Sequence, residues 1–102
     1  MKFRILLDPR AVVEVQEAID YYEEQLIGLG KKFELELNIN IKSLAKNPFF
    51  QTRYDIIQFL PLKKYPFMIH FSTNESEKTV YIHAVINTQR DPQRILGKIE
   101  KR

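Results

Sequence analysis

The sequence predicts a single α+β domain covering residues 1–102. Two observations predict this fold class: an amphipathic helix near the amino terminus and a β-hairpin pattern in the second half. A chain of 102 residues has the length of one domain, and its 44% hydrophobic and 28% charged residues are typical of a globular protein. Because the chain has no cysteine, disulfides and thiolate metal sites are excluded.

The first elements follow from capping and spacing. Residues 2–7 form a short apolar strand, after which Asp8 is a good N-cap and Pro9 suits the first helical position. A helical stripe then follows at 3,4 spacing, and we expect the helix to end at Gly28, with Leu29-Gly30 in a tight turn. The stripe consists of Val12, Val15, Ile19, Tyr22 and Leu26. The acidic residues of this helix are expected to lie on its solvated faces.

Residues 33–42 alternate strictly between apolar and polar side chains, which favours a half-buried strand. A helix is also compatible with the pattern, since four apolar residues would fall on an arc of about 80° at 100° per residue. These four are Phe33, Leu37, Ile41 and Leu44. Leu35 and Ile39 would then form a second patch on nearly the opposite side. The residues alone leave both alternatives open and favour the strand.

The second half reads as three strands, over residues 54–60, 67–73 and 79–86, with Asn47-Pro48 ending the segment before them. A turn at residues 74–77 would pair the last two strands, with opposing residue numbers summing to about 153. This register predicts an apolar face toward the helices, made by Phe67, Ile69, Phe71, Val80, Ile82, Ala84 and Ile86. The other face would be mixed and carry Met68, His70, Ser72, Tyr81, His83 and Val85. Asp91 and Pro92 would begin a short terminal helix.

Positive charge is concentrated in the second half of the chain. The net charge is +3; residues 1–51 carry seven Lys/Arg and eight Asp/Glu, and residues 52–102 carry nine and five. The basic side chains include Lys63, Lys64, Arg90, Arg94 and Lys98. This distribution suits an acidic partner or nucleic acid, although a solvated basic surface is an equal alternative.

Few residues carry recognisable chemistry. His70 and His83 share the mixed face and could act as general acid and base, but without a third ligand we expect no metal site, and the simpler interpretation is two partly exposed sheet residues. Arg90 precedes Asp91-Pro92, where its guanidinium could bind an anion or simply end a strand. No phosphate-binding glycine loop occurs, and we expect no cofactor. With no membrane span or signal pattern, a cytoplasmic chain is expected.

An ordered series of motifs resembles the ParE/RelE superfamily of toxins from bacterial type II toxin–antitoxin systems, often called plasmid stabilisation proteins, and is closer to the ParE branch. The series comprises Tyr21-Tyr22-Glu23, Gly28-Leu29-Gly30, Phe33, Asn47-Pro48, residues 64–71, residues 84–87 and Arg90-Asp91-Pro92. The resemblance implies a β-α-α-β-β-β order, with a helical hairpin packed on a small antiparallel sheet and a short C-terminal helix. On this basis residues 33–42 are expected to be helical.

The resemblance also implies a function. ParE-like toxins poison DNA gyrase, whereas RelE-like toxins cleave messenger RNA in the ribosome. The strand over residues 67–70 lacks the arginine typical of RelE-like enzymes, the tail after Arg90 has no aromatic or histidine residue, and Asn87 replaces a histidine frequent in ParE. We therefore expect a toxin that acts by binding and is neutralised by an antitoxin encoded beside it.

The expected contact residues are Lys63, Lys64, Arg90, Arg94 and Lys98, with Met68 and Tyr81 as apolar anchors. Two alternatives remain. One is a ribosome-dependent endoribonuclease, for which His70, His83 and Arg90 are the candidate catalytic residues; the other is a non-toxic interaction module.

Overall fold

A computed structural model describes residues 2–48, 53–54 and 57–89, and in it two helices cover one face of a five-stranded sheet. The elements in chain order are β1 (Arg4–Leu7), α1 (Pro9–Gln25), α2 (Leu29–Lys46), β2 (Arg53–Tyr54), β3 (Ile57–Pro61), β4 (Phe67–Asn74) and β5 (Thr79–Asn87). The order confirms the β-α-α-β-β-β prediction, with the short β2 in addition. The predicted terminal helix, together with Arg90, Arg94 and Lys98, lies outside the described residues.

The sheet is mixed rather than purely antiparallel. Its strand order is β1-β5-β4-β3-β2, and β1 runs parallel to β5 whereas the other neighbours are antiparallel. The parallel pair arises because β1 lies beside the last strand rather than beside the next strand in sequence. The consecutive strands β2 to β5 form the expected antiparallel run.

Helix α1 begins as predicted and ends earlier. The Asp8 carboxylate accepts a hydrogen bond from the backbone N–H of Arg10 at 2.8 Å, and Pro9 occupies the first position. The helix ends at Gln25 instead of Gly28. Gly28 has the left-handed conformation expected for it, with φ of 91°, but it lies at the start of α2. Leu29 and Gly30 belong to the first turn of α2, so the predicted turn at these two residues was wrong.

Residues 33–42 lie within helix α2, as the family resemblance implies and against the strand that their alternation favours. The helical stripe of Phe33, Leu37 and Leu44 is buried against the sheet and α1. Leu35 and Ile39, the second apolar patch, are 54% and 64% exposed. The alternating pattern was misleading because these two exposed residues supply two of its five apolar positions.

The two helices meet closely at their hairpin. The Glu23 carboxylate accepts hydrogen bonds from the backbone N–H groups of Gly28 at 2.9 Å and Gly30 at 3.1 Å. These bonds satisfy donors at the start of α2 that have no intrahelical acceptor. A Cβ atom on Gly30 would lie 2.6 Å from the carbonyl oxygen of Ile19, so only glycine fits this contact. Glu23 is therefore a capping residue, and not simply a solvated side chain as expected.

An aromatic cluster fills the core between the hairpin and β4. The ring of Phe33 contacts those of Tyr22, Tyr65 and Phe67 at centroid distances of 5.2, 5.2 and 5.0 Å. Tilted and edge-on ring contacts at such distances add to the stabilisation from burial alone. The cluster fixes the hairpin on the sheet face opposite to the candidate site.

The β4–β5 register changes at a β-bulge. Residues 71–74 pair with residues 79–82 at the predicted sum of 153, but beyond the bulge between His70 and Phe71 the sum is 154. The extra residue, His83, reverses the faces that follow it. Val85 therefore joins the helix-side core, whereas Ala84 pairs with His70 and Ile86 pairs with Met68 on the other face. The predicted faces were correct for β4 and for residues 80–83 of β5, and wrong for Ala84, Val85 and Ile86.

Candidate partner-binding face

The sheet face directed away from the helices, called the open face below, carries the candidate site. Tyr81 of β5 lies near its turn end, between Leu6 of β1 and Ser72 of β4, its register partners on either side. Cross-strand partners share a face, so the three side chains lie side by side. Leu6 was not anticipated, because a parallel pair of strands distant in sequence leaves no local signal.

A polar cluster follows Tyr81 along β5. The Oγ atom of Ser72 and the Nε2 atom of His83 are 2.8 Å apart, which is a hydrogen bond. The imidazole of His83 also contacts the ring of Tyr81, with centroids 4.9 Å apart. The bulge is what turns His83 toward Ser72. This arrangement can exchange a proton or bind a polar group, and His83 is half-buried rather than enclosed.

His70 is enclosed, contrary to expectation. It was predicted to be a partly exposed neighbour of His83, but it is 1% exposed and its ring contacts that of Phe59 at a centroid distance of 4.8 Å. Its register partner is Ala84, and His83 bonds to Ser72 instead. The expected partial exposure of His70 was therefore wrong, and its imidazole is less accessible to a substrate than that of His83.

A shallow groove of about 590 Å³ lies on the open face at the end nearest the β4–β5 turn. Leu6 and Tyr81 supply apolar lining, Ser72 and Asn74 supply polar groups, and the turn adds acidic residues. The groove can therefore take an apolar side chain with a polar neighbour. Both half-buried residues predicted as anchors, Tyr81 and Met68, lie on the open face, but only Tyr81 lines the groove.

Charge differs between the two ends of the open face. Lys63 and Lys64 are exposed in the segment that joins β3 to β4, at the end where β4 begins. Glu75 and Glu77 are exposed in the turn at the opposite end. Lys78 is exposed in the same turn. Of the basic residues predicted as contacts, Lys63 and Lys64 belong to the described part of the chain, and both lie at the end where β4 begins.

Within residues 2–48, 53–54 and 57–89, no group of three His, Cys, Asp or Glu side chains could hold a metal ion. No helix in that part of the chain is long and apolar enough to cross a membrane.

Sequence comparison gives no match, either to a protein-family model or to a curated protein. Solved structures do match. The chromosomal ParDE toxin–antitoxin system of P. aeruginosa superimposes with a TM-score of 0.72 at 15% identity, covering 84% of this chain and 96% of that one. A mutant of the E. coli toxin RelE in the free state gives 0.71 at 12% identity, covering 99% and 97%. The isolated E. coli RelE toxin gives 0.64 at 13% identity, covering 95% and 98%. The chain therefore has the fold of the ParE and RelE toxins.

Proposed function

We propose that this protein is the toxin of a type II toxin–antitoxin system and is neutralised by an antitoxin encoded by the adjacent gene. The observation that carries the proposal is the fold, which matches toxins of the ParDE and RelE systems over 84% to 99% of the chain. The ordered sequence motifs support the same assignment independently. Fold alone does not imply function. The open face supplies the second line of support.

The open face has the features of a surface for a segment that folds on binding. Tyr81 and Met68 are half-buried apolar anchors, and their places on β4 and β5 differ by four residues, or about 13 Å along the sheet. An antitoxin segment would need to span this distance to contact both. An apolar side chain of the segment would enter the groove between Leu6 and Tyr81, and an acidic stretch would lie near Lys63 and Lys64. Arg90, Arg94 and Lys98 would extend this contact surface.

For the cellular target, we propose DNA gyrase and an action by binding. The basis is the closer resemblance of the motifs to ParE, and the buried position of His70, which disfavours this candidate as a general acid or base, supports it. If Arg90 and Arg94 contact the target or the antitoxin, the double variant Arg90→Ala with Arg94→Ala reduces growth arrest. Undiminished arrest would remove both arginines from the site.

One observation favours a second candidate, a ribosome-dependent endoribonuclease. The hydrogen bond between Ser72 and His83 holds an imidazole on the open face, and a histidine is the side chain whose pKa best suits proton transfer near neutral pH. Arg90 would be its cationic partner. This candidate predicts messenger RNA cleavage at ribosome-occupied codons.

Controlled expression, with and without the adjacent small open reading frame, tests both candidates. A gyrase-binding toxin arrests growth, leaves transcripts intact and inhibits supercoiling by purified gyrase. An endoribonuclease cleaves transcripts and leaves supercoiling unchanged. Absence of growth arrest, with the neighbouring protein still co-purifying, would indicate a non-toxic interaction module.

The antitoxin surface is tested separately by measuring affinity for the neighbouring protein. The double variant Met68→Ala with Tyr81→Ala should weaken binding at least tenfold, because both anchors lose their apolar contact area. Asn38→Ala is the matched control, since Asn38 is exposed on α2 on the opposite side of the molecule. Equal affinity of all three proteins would show that the antitoxin binds elsewhere.

A further inference from the structure

The two helices of the hairpin carry opposite charge. Helix α1 contains one Arg and five Asp/Glu, a net charge of −4. Helix α2 contains four Lys and two Glu, a net charge of +2. Both helices also expose apolar residues, which a solvated surface does not require. The segregation of charge between adjacent helices, together with exposed apolar residues on each, points to an interface.

The side of α2 directed away from the core, called the α2 outer face below, is both basic and apolar. At 100° per residue its members fall on an arc of about 80°, opposite the buried stripe of Phe33, Leu37 and Leu44. The α2 outer face consists of Lys32, Leu35, Ile39, Lys42 and Lys46, all exposed. Leu35 and Ile39 lie one turn apart at its centre, with lysines on both sides.

The corresponding side of α1, called the α1 outer face below, is acidic. Its members fall on an arc of about 60°, opposite the buried Ala11 and Ala18. The α1 outer face consists of Val13, Glu17, Asp20 and Glu24, all exposed, and Val13 is 56% exposed. In the part of the chain that the structure describes, Asp20 accepts a hydrogen bond from Gln16, and no salt bridge joins the charged groups of the two outer faces.

We propose that these outer faces bind each other between two copies of this chain. A twofold axis that runs parallel to the helices, between the two hairpins, would set α1 of each copy against α2 of the other. Each copy would then present both complementary faces, so the dimer closes and does not extend into a filament. The occupant of this surface is a second copy, because the chain itself supplies a face of opposite charge at the matching position.

The heights of the residues, meaning their positions along the helix axes, agree with this arrangement. Within one hairpin Glu23 contacts Gly30, so residues at equal height on the two antiparallel helices have numbers that sum to about 53. The proposed axis preserves height. Val13 of one copy would therefore lie near Ile39 of the other, and Asp20 near Lys32. Apolar residues would meet apolar residues, and carboxylates would meet ammonium groups.

Other pairings of the hairpins fit less well. An axis perpendicular to the helices would set α1 against α1 and α2 against α2, which brings like charges together. Because the apolar centre comprises only Val13, Leu35 and Ile39 in each copy, the interface is small, and the dimer should form in a concentration-dependent and salt-sensitive manner. The open face lies on the opposite side of the sheet, so the dimer leaves the proposed antitoxin surface accessible and does not depend on the proposed function.

Sedimentation velocity over about a hundredfold range of protein concentration tests the proposal by mass action. The wild-type chain should pass from monomer to dimer at low salt and return to monomer at high salt. Two charge-reversal variants, Glu17→Lys with Asp20→Lys and Lys32→Glu with Lys42→Glu, should each shift the dimer dissociation constant upward at least tenfold. Mixing these two variants should restore dimers, because the reversed α1 of one then faces the reversed α2 of the other.

Matched controls reverse charges elsewhere: Glu75→Lys with Glu77→Lys, and Lys63→Glu with Lys64→Glu. Both should dimerise like the wild type, and circular dichroism confirms that all variants are folded. A wild-type chain that stays monomeric at every concentration overturns the proposal. So does a dimer that persists unchanged in both outer-face variants, and so does a mixture of the two variants that stays monomeric.

Discussion

The Oε1 atom of Glu14 in α1 accepts a hydrogen bond from the backbone N–H of Val85 in β5 at 3.0 Å, across 71 residues of sequence. Strand β1 ends at Leu7, and its last bond to β5 runs from the N–H of Asp8 to the carbonyl of Ile82. Beyond that point β5 has no strand on this side within the described residues, and Glu14 supplies the acceptor that a strand would provide. The contact lies just after the bulge that turns His83 toward Ser72, so α1 helps to hold the geometry of the open face.

Replacing Glu14 should lower the free energy of unfolding. Glu14→Ala leaves the partly buried N–H of Val85 without its carboxylate acceptor, at a cost of about 1–3 kcal/mol. Glu14→Gln keeps an oxygen acceptor and should cost less. Urea denaturation measures both, and Gln25→Ala is the control, since a change at an exposed position of the same helix, outside the α1 outer face, stays within about 0.5 kcal/mol. Equal stability of Glu14→Ala and Gln25→Ala would contradict the structural role of this bond.

The two glycines of the hairpin turn should differ in their response to alanine. Gly30→Ala places a Cβ atom 2.6 Å from the carbonyl oxygen of Ile19, a backbone atom, so the helices must separate at a cost of about 1–3 kcal/mol. A Cβ on Gly28 would have no heavy atom within 4 Å, but its φ of 91° is strained for alanine, at about 1–2 kcal/mol.

A second substitution at each glycine, measured by urea denaturation, separates the steric cause at Gly30 from the conformational cause at Gly28. Gly28→Asn should recover part of the loss relative to Gly28→Ala, because asparagine tolerates left-handed backbone better. Gly30→Asn should be no better than Gly30→Ala, because its side chain is larger. Recovery at both positions would mean that Gly30 is also constrained by conformation and not by the contact with Ile19.

Sequence patterns correctly predicted the elements that are determined by interactions between residues close together in the chain. The cap at Asp8, the start of α1 and the β4–β5 turn depend on residues near each other in sequence, and all three are as expected. Helix α2 was correct only through the family resemblance. Its alternating pattern includes Leu35 and Ile39, whose exposure is decided by how the hairpin packs and not by local preference.

The candidate site was less accessible to prediction, because its geometry depends on long-range contacts. A register sum of 153 placed Ser72 beside Tyr81 correctly. The bulge then moved Val85 into the core, and His70 is enclosed beside Phe59. Neither feature is signalled by the sequence of the hairpin. Leu6 joins the groove through the parallel β1–β5 pair, which joins strands more than 70 residues apart.

The stability of the fold should decrease at alkaline pH through Tyr22. Burial raises the pKa of its phenol, and the neighbouring Tyr21 and Tyr65 raise it further. The native state therefore keeps the phenol proton at a pH where the unfolded chain, with a pKa of about 10, has lost it. The contribution is fully present below pH about 10 and is lost as the pH rises through the native pKa.

Urea denaturation of the wild type and of Tyr22→Phe, compared across this alkaline range, measures the contribution. The ionisation of groups common to both proteins, such as the lysines, changes the two free energies of unfolding equally and cancels in the comparison. The wild type should lose stability more steeply than Tyr22→Phe above pH about 10, because the variant has no phenol to ionise at this position. Parallel curves would show that the phenol of residue 22 is as well solvated in the native state as in the unfolded chain.

The pair of Ser72 and His83 separates the two proposed modes of toxicity. If the toxin acts by binding, Ser72→Ala removes one hydrogen bond and costs about 1 kcal/mol of stability, and His83→Gln, which keeps a hydrogen-bonding group, should leave growth arrest intact. If the toxin is an endoribonuclease with His83 as acid or base, His83→Gln should reduce messenger RNA cleavage about 10²- to 10⁴-fold, whereas Ser72→Ala should shift the pH profile of cleavage.

Growth arrest and transcript integrity, measured at matched expression, decide between these outcomes, with Asn38→Ala on the opposite side of the molecule as the control. Loss of arrest in His83→Gln with intact transcripts in the wild type would instead make His83 a contact residue for the bound target.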